Sequence, residues 1–328
     1  MRLLVMGGTQ FVGRHIAEIA IERGHEVTVF HRGRSNADAV PEATHIIGDR
    51  DTDLERLAGR EWDATADVSA YVPRQVAELA EALNGRGGRH VFVSTVSVYA
   101  EPAPQNCTED APLIELPDPT TEVVDDDTYG GLKVLCERAV AQHYTDALVI
   151  RPTYVVGPHD YTHRFTYWVT RIAAGGRVIA PDIPGYGIQV IDARDQARWI
   201  LELLERGDSG TFHTVSPPPA FTFADMLQTI VDAVGPADTE LVAVDPRFLI
   251  EHDVGNVDLP LWYPSPDPDA GLNCDPSRAQ AHGFATRSLA DTVRETLAHE
   301  RATPTPNPDG TGWSQEREAE VLAAWDAH

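Results

Sequence analysis

Near its amino terminus the chain reads Leu3-Leu4-Val5-Met6-Gly7-Gly8-Thr9-Gln10-Phe11-Val12-Gly13, an apolar run followed at once by a glycine-rich turn. Apolar residues then recur at helical spacing as far as Gly24, and residues 27–30 form a second short apolar run. Strand, turn, helix and strand make a βαβ unit of about 30 residues. In that context the glycines predict a dinucleotide site, because they let the backbone approach a pyrophosphate at the start of the helix.

The alternation of strands and helices continues beyond this unit. We predict strands at residues 44–47, 64–68, 90–93 and 147–150, with helices at 73–83 and from residue 129 onward. This order predicts an α/β fold with a doubly wound parallel sheet of the Rossmann type.

The sequence also predicts a division into domains. We assign residues 1–157 to a dinucleotide-binding domain, with further sheet contributions from about residues 186–215. Residues 158–328 are assigned mostly to a smaller substrate-binding domain and a tail. Residues 237–276, rich in proline and aspartate, are predicted to be mainly loop.

Composition restricts the class of partner. The 328 residues carry a formal charge of −25, which disfavours nucleic acid and anionic membranes and leaves a small molecule as the expected substrate. No apolar run approaches the roughly 20 residues that span a bilayer. The three cysteines lack metal-ligand spacing, so we expect no metal site and free thiols in a cytoplasmic protein.

A tyrosine and a lysine indicate the chemistry. Tyr129 and Lys133 are four residues apart, and Lys133 is the only lysine among 26 basic residues. Arginine cannot replace a compact ammonium beneath a phenol oxygen, and an ammonium within about 4–6 Å favours the phenolate. With the hydroxyl of Thr95 to hold a substrate oxygen, these residues predict proton transfer at a hydroxyl or carbonyl, coupled to hydride transfer with a nicotinamide.

These patterns resemble those of the extended short-chain dehydrogenase/reductase family, also called NAD-dependent epimerase/dehydratases. The resemblance covers about residues 1–215 and rests on four motifs: residues 7–13, Ser94-Thr95 before Val98-Tyr99, Tyr129-x-x-x-Lys133, and Arg151-Pro152-Thr153-x-Val155-x-Gly157-Pro158. It implies Thr95 as the third catalytic residue and a homodimer formed by helices near 73–83 and 129–144. Gln10 stands where the usual turn has glycine, as in an atypical branch with a Gly-Gly-Thr-x-Phe turn.

The cofactor contacts are expected from the glycine turn and from the carboxyl ends of strands two, three, four and six. These residues are Gly7, Gly8, Thr9, Gln10, Phe11, Val12, Gly13, His31, Arg32, Arg34, Asp49, Arg50, Val68, Ser69, Pro152, Thr153, Tyr154 and Val155.

The end of the second strand indicates which cofactor binds. NAD sites of this fold place an acid there, bonded to the ribose 2′-hydroxyl. Here the chain continues with His31-Arg32-Gly33-Arg34 and has no acid before Asp38. We therefore expect a preference for NADP(H), with NAD(H) possible, because arginine binds a 2′-phosphate bidentately.

Three functions remain open at this stage. One is an NAD(P)-dependent reductase or dehydrogenase, and another is a sugar-nucleotide epimerase using the same residues. The third is a non-catalytic cofactor-sensing or RNA-associated binding protein. Val96-Ser97 stands where the resemblance would give sugar-nucleotide dehydratases Asp-Glu, which disfavours dehydration. His159, Asp160, His163 and Arg164 could line a substrate or cap a helix, so they receive no role.

Overall fold

The computed structural model describes residues 1–101, 104–216, 221–271 and 273–328. The strands are β1 Arg2–Met6, β2 Glu26–His31, β3 Thr44–Ile47, β4 Ala64–Asp67, β5 Arg89–Val93, β6 Leu148–Pro152, β7 Tyr154–Val156, β8 Arg177–Pro181, β9 Gly187–Ile188, β10 Val190–Asp192, β11 Gly210–Thr214, β12 Phe221–Thr222 and β13 Glu240–Val244. The α-helices are α1 Phe11–Glu22, α2 Pro73–Leu83, α3 Tyr129–His143, α4 Arg164–Ala173, α5 Ala193–Arg206, α6 Phe223–Val234, α7 Pro246–Glu251, α8 Ser277–Ala281, α9 Leu289–Ala302 and α10 Gln315–Asp326.

A seven-stranded parallel sheet confirms the predicted fold class. Its strand order is β11-β6-β5-β4-β1-β2-β3, and every neighbouring pair is parallel. From β1 the chain winds outward to β3 and then restarts at β4 on the other side. The direction of winding therefore changes between β1 and β4, and sheets of this kind bind ligands at the carboxyl ends of the strands beside that change.

The chain divides into two compact units. Unit 1 contains Met1–Thr153, Ala193–Val215 and Cys274–Ala285, and unit 2 contains Tyr154–Asp192, Ser216–Asn273 and Thr286–His328. The first division follows Thr153, so Tyr154 and Val155 belong to unit 2. The return of Cys274–Ala285 to unit 1 was not indicated by the sequence, because no strand-like apolar pattern marks this segment.

Unit 1 packs its helices in pairs, α1 with α5 and α2 with α3. Phe92 of β5, Val76 of α2 and Val140 of α3 share one buried cluster, which fixes α3 against the sheet. This packing decides where the first turns of α3 lie, and those turns carry Tyr129 and Lys133.

Unit 2 has an apolar core of its own, which includes the fully buried Phe165 and Trp168 of α4. Within residues 237–276, β13 pairs in parallel with β8, and α7 follows it. The prediction of a mainly loop segment was therefore wrong for these two elements. Only Val242 and Val244 are buried on β13, a pattern too short to distinguish a strand by periodicity. None of the described helices is both long and apolar enough to cross a membrane.

Candidate active site

The glycine turn joins the end of β1 to the start of α1. The Gly7 amide donates to the Phe30 carbonyl at 2.9 Å, which fixes the turn beside β2. A Cβ on Gly13 would lie 2.4 Å from the Gly7 carbonyl oxygen, so helix and turn approach too closely for any other residue. The side chain of Gln10 does not cap α1. The amino terminus of a helix that follows such a glycine turn can bind an anionic pyrophosphate.

Lys133 lies at the carboxyl ends of β4 and β5. Its side chain is buried, and Nζ donates to the carbonyl oxygens of Ala70 at 2.9 Å and Val93 at 2.8 Å. The ring centroid of Phe92 lies 4.1 Å from Nζ. Burial lowers the pKa of Lys133 to about 8. An ammonium has three N–H donors, and these two main-chain carbonyls take two of them.

Tyr129 begins α3, one turn before Lys133, and is partly buried. Its ring centroid lies 6.4 Å from that of Tyr71, which is 41% exposed in the loop between β4 and α2. Sequence reasoning missed Tyr71. Its position two residues after Ser69, which was selected, is the only signal that pointed to it.

Thr95 follows β5 and starts a short 3₁₀ helix, Val96–Val98. Its Oγ1 accepts from the Ser97 amide at 3.1 Å and lies 3.1 Å from Ser97 Oγ. That 3₁₀ helix packs against α3. Thr95 and the α3 helix that carries Tyr129 are thus parts of one packed arrangement at the end of β5.

A buried ion pair holds α3 to β6. Arg151 binds Glu137 of α3 bidentately, at 2.9 and 2.6 Å, and donates from Nη1 to the Tyr99 phenol oxygen at 2.8 Å. Ser94 Oγ donates to Glu137 at 2.5 Å. The contact between Tyr99 and His213 extends the network to β11. These groups connect β5, β6 and β11 to the helix that carries the catalytic candidates.

Arg50 makes its hydrogen bonds inside the protein. Its guanidinium binds Asp67 at the end of β4 bidentately, at 2.9 Å for each bond, and also donates to Ser69 Oγ at 2.9 Å and the Gln75 carbonyl at 3.0 Å. Burial opposes the charge of Asp67, but the charge of Arg50 holds the pKa of this carboxyl below its usual value. The sequence placed Arg50 among the cofactor contacts. In the structure its guanidinium fixes the loop after β4.

The ends of β2 and β3 carry further candidates. Arg32 and Arg34 are exposed, whereas His31 is buried and accepts the Gly33 amide. Asp49 is partly buried, and its Oδ1 accepts from the Asp51 amide at 3.2 Å.

The structure therefore brings most of the selected residues to one edge of the sheet in unit 1. The carboxyl ends of its strands are followed by the glycine turn 7–13, by residues 31–34, by Asp49-Arg50, by Val68-Ser69 and by Thr95, and Pro152-Thr153 closes β6. Tyr154 and Val155 lie in β7 of unit 2.

Asp160 and His163, two of the candidates to which the sequence assigned no role, form hydrogen bonds within unit 2. Asp160 is fully buried, and its Oδ1 accepts from the amide and hydroxyl of Thr162 at 2.9 and 2.6 Å. Burial raises the pKa of Asp160 to about 6. His163 Nε2 bonds the Thr305 carbonyl at 2.9 Å, just before α4. Within the described ranges, no group of three His, Cys, Asp or Glu residues is arranged to hold a metal ion.

The model of the NAD dependent epimerase/dehydratase family matches residues 3–215. The chain belongs to this family. It is an enzyme of the extended short-chain dehydrogenase/reductase type, an NAD-dependent oxidoreductase or epimerase.

Curated relatives of this family member match at moderate identity. The chloroplast stem-loop binding protein of 41 kDa b from Arabidopsis thaliana is 26% identical over 77% of this chain and 68% of that protein. The 3-diazoavenalumate denitrifying reductase from a Streptomyces species is 27% identical over 76% of this chain and 87% of that protein.

Solved structures share the fold of this family member. The UDP-glucose 4-epimerase of Thermotoga maritima matches with a TM-score of 0.70 at 18% identity, covering 92% of this chain and 99% of that one. The enzyme WbmG of Bordetella bronchiseptica, solved with NAD, matches with a TM-score of 0.69 at 20% identity, covering 94% of this chain and 96% of that one.

Proposed function

We propose that the protein is a carbonyl reductase or alcohol dehydrogenase that prefers NADP(H) and acts through Tyr129, Lys133 and Thr95. The observation that carries this proposal is the buried ammonium of Lys133, fixed by two main-chain carbonyls one helical turn from Tyr129. Such a charge favours the phenolate of a neighbouring tyrosine.

Each of the three residues has a distinct part in this reaction. Tyr129 gives a proton to the carbonyl oxygen in reduction, or takes it from the hydroxyl in oxidation. Lys133 stabilises the phenolate left behind, and Thr95 holds the substrate oxygen through its hydroxyl. The nicotinamide supplies or receives the hydride when the cofactor is bound.

The same proposal assigns each group of contact residues to one part of the cofactor. The turn residues Gly7, Gly8, Thr9, Gln10, Phe11, Val12 and Gly13 would hold the pyrophosphate at the start of α1. Asp49, Val68 and Ser69 would contact the adenosine half, and Pro152 and Thr153 would contact the nicotinamide half. Arg50 would support this site through Ser69 instead of contacting the cofactor, because its Nη1 and Nη2 groups bind Asp67, Ser69 and Gln75.

The preference for NADP(H) rests on Arg32 and Arg34, which are exposed at the end of β2 where an acid would select NAD. We expect Arg32→Ala to weaken NADP(H) binding by about tenfold or more, with a much smaller effect on NAD(H), because a charge-assisted bond to phosphate is lost. Titrating both cofactors into both proteins measures this.

A matched control is Arg60→Ala. Arg60 is also exposed but precedes β4, at the opposite edge of the sheet, so the same loss of charge should leave both affinities unchanged. Tighter binding of NAD(H) than NADP(H) by the wild type would show that the preference is wrong.

A sugar-nucleotide epimerase is the second candidate, since the UDP-glucose 4-epimerase of Corynebacterium glutamicum is 28% identical over 163 residues. The two reactions differ in net cofactor use, because an epimerase returns the hydride to its substrate. Incubation with NADPH and a panel of ketones and aldehydes, and in parallel with NADP+ or NAD+ and nucleotide sugars, separates them. Net oxidation of NADPH identifies a reductase, and epimerised sugar without net reduction of the oxidised cofactor identifies an epimerase.

We infer that nucleic acid is not a partner, although one relative is named for binding a stem-loop. The charge of −25 opposes binding to a phosphate backbone. We also propose a cytoplasmic location, which fits the reduced state of Cys107, Cys136 and Cys274. Filter binding of a stem-loop RNA at low salt tests the first point, and retention of the RNA would contradict it.

A further inference from the structure

A chain of three hydrogen bonds fixes the connection between β2 and β3. The Gly33 amide donates to Nδ1 of His31 at 3.1 Å. Nε2 of His31 lies 2.9 Å from Nδ1 of His45 on β3, and Nε2 of His45 lies 3.0 Å from the Val40 carbonyl oxygen. These three hydrogen bonds, the His31–His45 relay, therefore join Gly33 and Val40, two points of the connection, through the strands that flank it.

The hydrogen-bonding groups at the two ends of the relay permit only one arrangement of the protons on the two imidazole rings. The Gly33 amide is a donor, so Nδ1 of His31 must accept and Nε2 must carry the proton that is donated to His45. The Val40 carbonyl is an acceptor, so Nε2 of His45 carries the other proton. Both rings are neutral in this arrangement. Burial, followed by the neighbouring His45, lowers the pKa of His31, in agreement with a neutral ring.

The relay closes a tight turn around Arg32. A side-chain acceptor that binds the amide two residues later forms the turn usually made by Asn or Asp. Gly33 has a φ of +70°, and the chain bends there, next to the exposed Arg32. The imidazole of His31 thus takes the place of an Asn side chain in this turn. The hydrogen bond to His45 keeps His31 in the tautomer whose Nδ1 accepts the Gly33 amide.

We propose that His31 and His45 are positioning residues for cofactor selection, because their relay fixes the turn that presents Arg32 to the 2′-phosphate of NADP(H). The inference rests on the proposed preference for NADP(H) and adds to it the groups that make the preference effective. His31 acts through the Gly33 amide instead of touching the cofactor. Sequence reasoning gave His31 a direct contact and gave His45 no role.

Four variants test the relay: His31→Leu, His31→Asn, His45→Phe and the double variant His31→Asn/His45→Phe. Dissociation constants for NADPH and NADH are measured for each, together with the thermal unfolding midpoint. His31→Leu should weaken NADPH binding by about tenfold, through the loss of one ordering hydrogen bond, and should affect NADH less.

Rescue of NADPH binding by asparagine distinguishes a positioning role of His31 from a general effect on the stability of the fold. His31→Asn should restore NADPH binding, because its Oδ1 accepts the Gly33 amide and needs no partner to set a tautomer. His45→Phe should therefore weaken NADPH binding in the wild-type background but have little effect beside His31→Asn. A control is His90→Phe, which replaces a buried histidine of β5 whose ring stacks on Tyr144 and should leave both affinities unchanged.

The outcomes separate this inference from the proposed function. A wild type that prefers NADPH, together with a folded His31→Leu variant of unchanged affinity, overturns the relay alone. An Asn variant as weak as the Leu variant overturns it too. A wild type without preference for NADPH overturns the cofactor proposal itself.

Discussion

At the scale of single residues, Lys133 has surroundings that would not accept arginine. Its ammonium is enclosed by the carbonyls of Ala70 and Val93 and by the ring of Phe92. A guanidinium is planar and broader, and its donors form a fixed fork that does not match two carbonyls around one nitrogen. We therefore expect Lys133→Arg to lose turnover by about a hundredfold or more, because Tyr129 can no longer transfer its proton efficiently without an ammonium to stabilise the phenolate.

The pKa of Lys133 predicts an alkaline limit on the proposed reaction. Because this pKa is lowered to about 8, the ammonium is lost as pH rises through that value, whereas an exposed lysine keeps its proton to about 10.5. We expect kcat/KM to fall above pH 8, since the neutral amine no longer stabilises the phenolate of Tyr129. A pH–rate profile that stays level to pH 10 would contradict this assignment.

The same shift affects the free energy of unfolding in a definite direction. Between pH 8 and 10.5 the unfolded chain holds the proton that the folded chain has lost. Stability from this group therefore rises with pH across that window, while activity falls. Opposite trends in unfolding and turnover are the signature of Lys133.

Tyr129→Phe removes only the phenol oxygen. We expect turnover to fall by about a hundredfold or more while the dissociation constant of the cofactor stays nearly unchanged, because the oxygen carries the proton and the ring keeps its packing. Turnover and cofactor titration measure the two effects. Tyr71→Phe is the matched control, because Tyr71 lies beside Tyr129 and should lose far less activity. Normal turnover by Tyr129→Phe would remove Tyr129 from the mechanism.

The sequence predicted residues whose chemistry is local and missed partners that only folding brings together. Tyr129 and Lys133 lie four positions apart on one helix, so their relation could be inferred from spacing. The partner of Arg50 is Asp67, 17 positions away, and no periodicity links them. For that reason the sequence did not reveal that the Nη1 and Nη2 groups of Arg50 bind Asp67, Ser69 and Gln75.

At the scale of elements, the loop after β4 is held from two sides. Arg50 binds Asp67, Ser69 and the Gln75 carbonyl, while Lys133 binds the Ala70 carbonyl. The position of this loop beside the glycine turn therefore depends on two cations, Arg50 and the proposed catalytic residue Lys133.

A double-mutant cycle separates the two contributions of the Arg50–Asp67 pair. Asp67→Leu should lower the free energy of unfolding by about 3–5 kcal/mol, because it leaves a buried guanidinium unpaired. Arg50→Met/Asp67→Leu should recover much of that stability but still bind the cofactor more weakly, because Ser69 and Gln75 have lost their donor. Urea unfolding and cofactor titration measure the two effects. A double variant no more stable than Asp67→Leu alone would contradict the interpretation.

The elements themselves were predicted with unequal success for physical reasons. The central strands were predicted from short apolar runs and α1 from apolar residues at helical spacing, and the structure confirms these elements. β13 has only two buried residues and is followed by a proline-rich sequence. Its strand conformation depends on pairing with β8, and the local sequence does not indicate that pairing.

At the scale of the whole molecule, the homodimer implied by the family resemblance stays a prediction. Sedimentation should show a dimer at micromolar concentration, formed by the outer faces of α2 and α3. Ala141→Arg on the exposed face of α3 should shift the protein toward monomer, because it places a long charged side chain in the interface. Ala281→Arg on α8 is the control and should leave the dimer intact. A wild-type monomer would show that the resemblance does not extend to assembly.

The use of arginine for every basic residue except one gives this chain a practical property. Among its side chains, Lys133 alone carries a primary amine, and it is 3% exposed. An amine-reactive reagent therefore has a single side-chain target, enclosed by the Ala70 and Val93 carbonyls. The rate of acylation at this one position would report how often the site opens, without any engineered label.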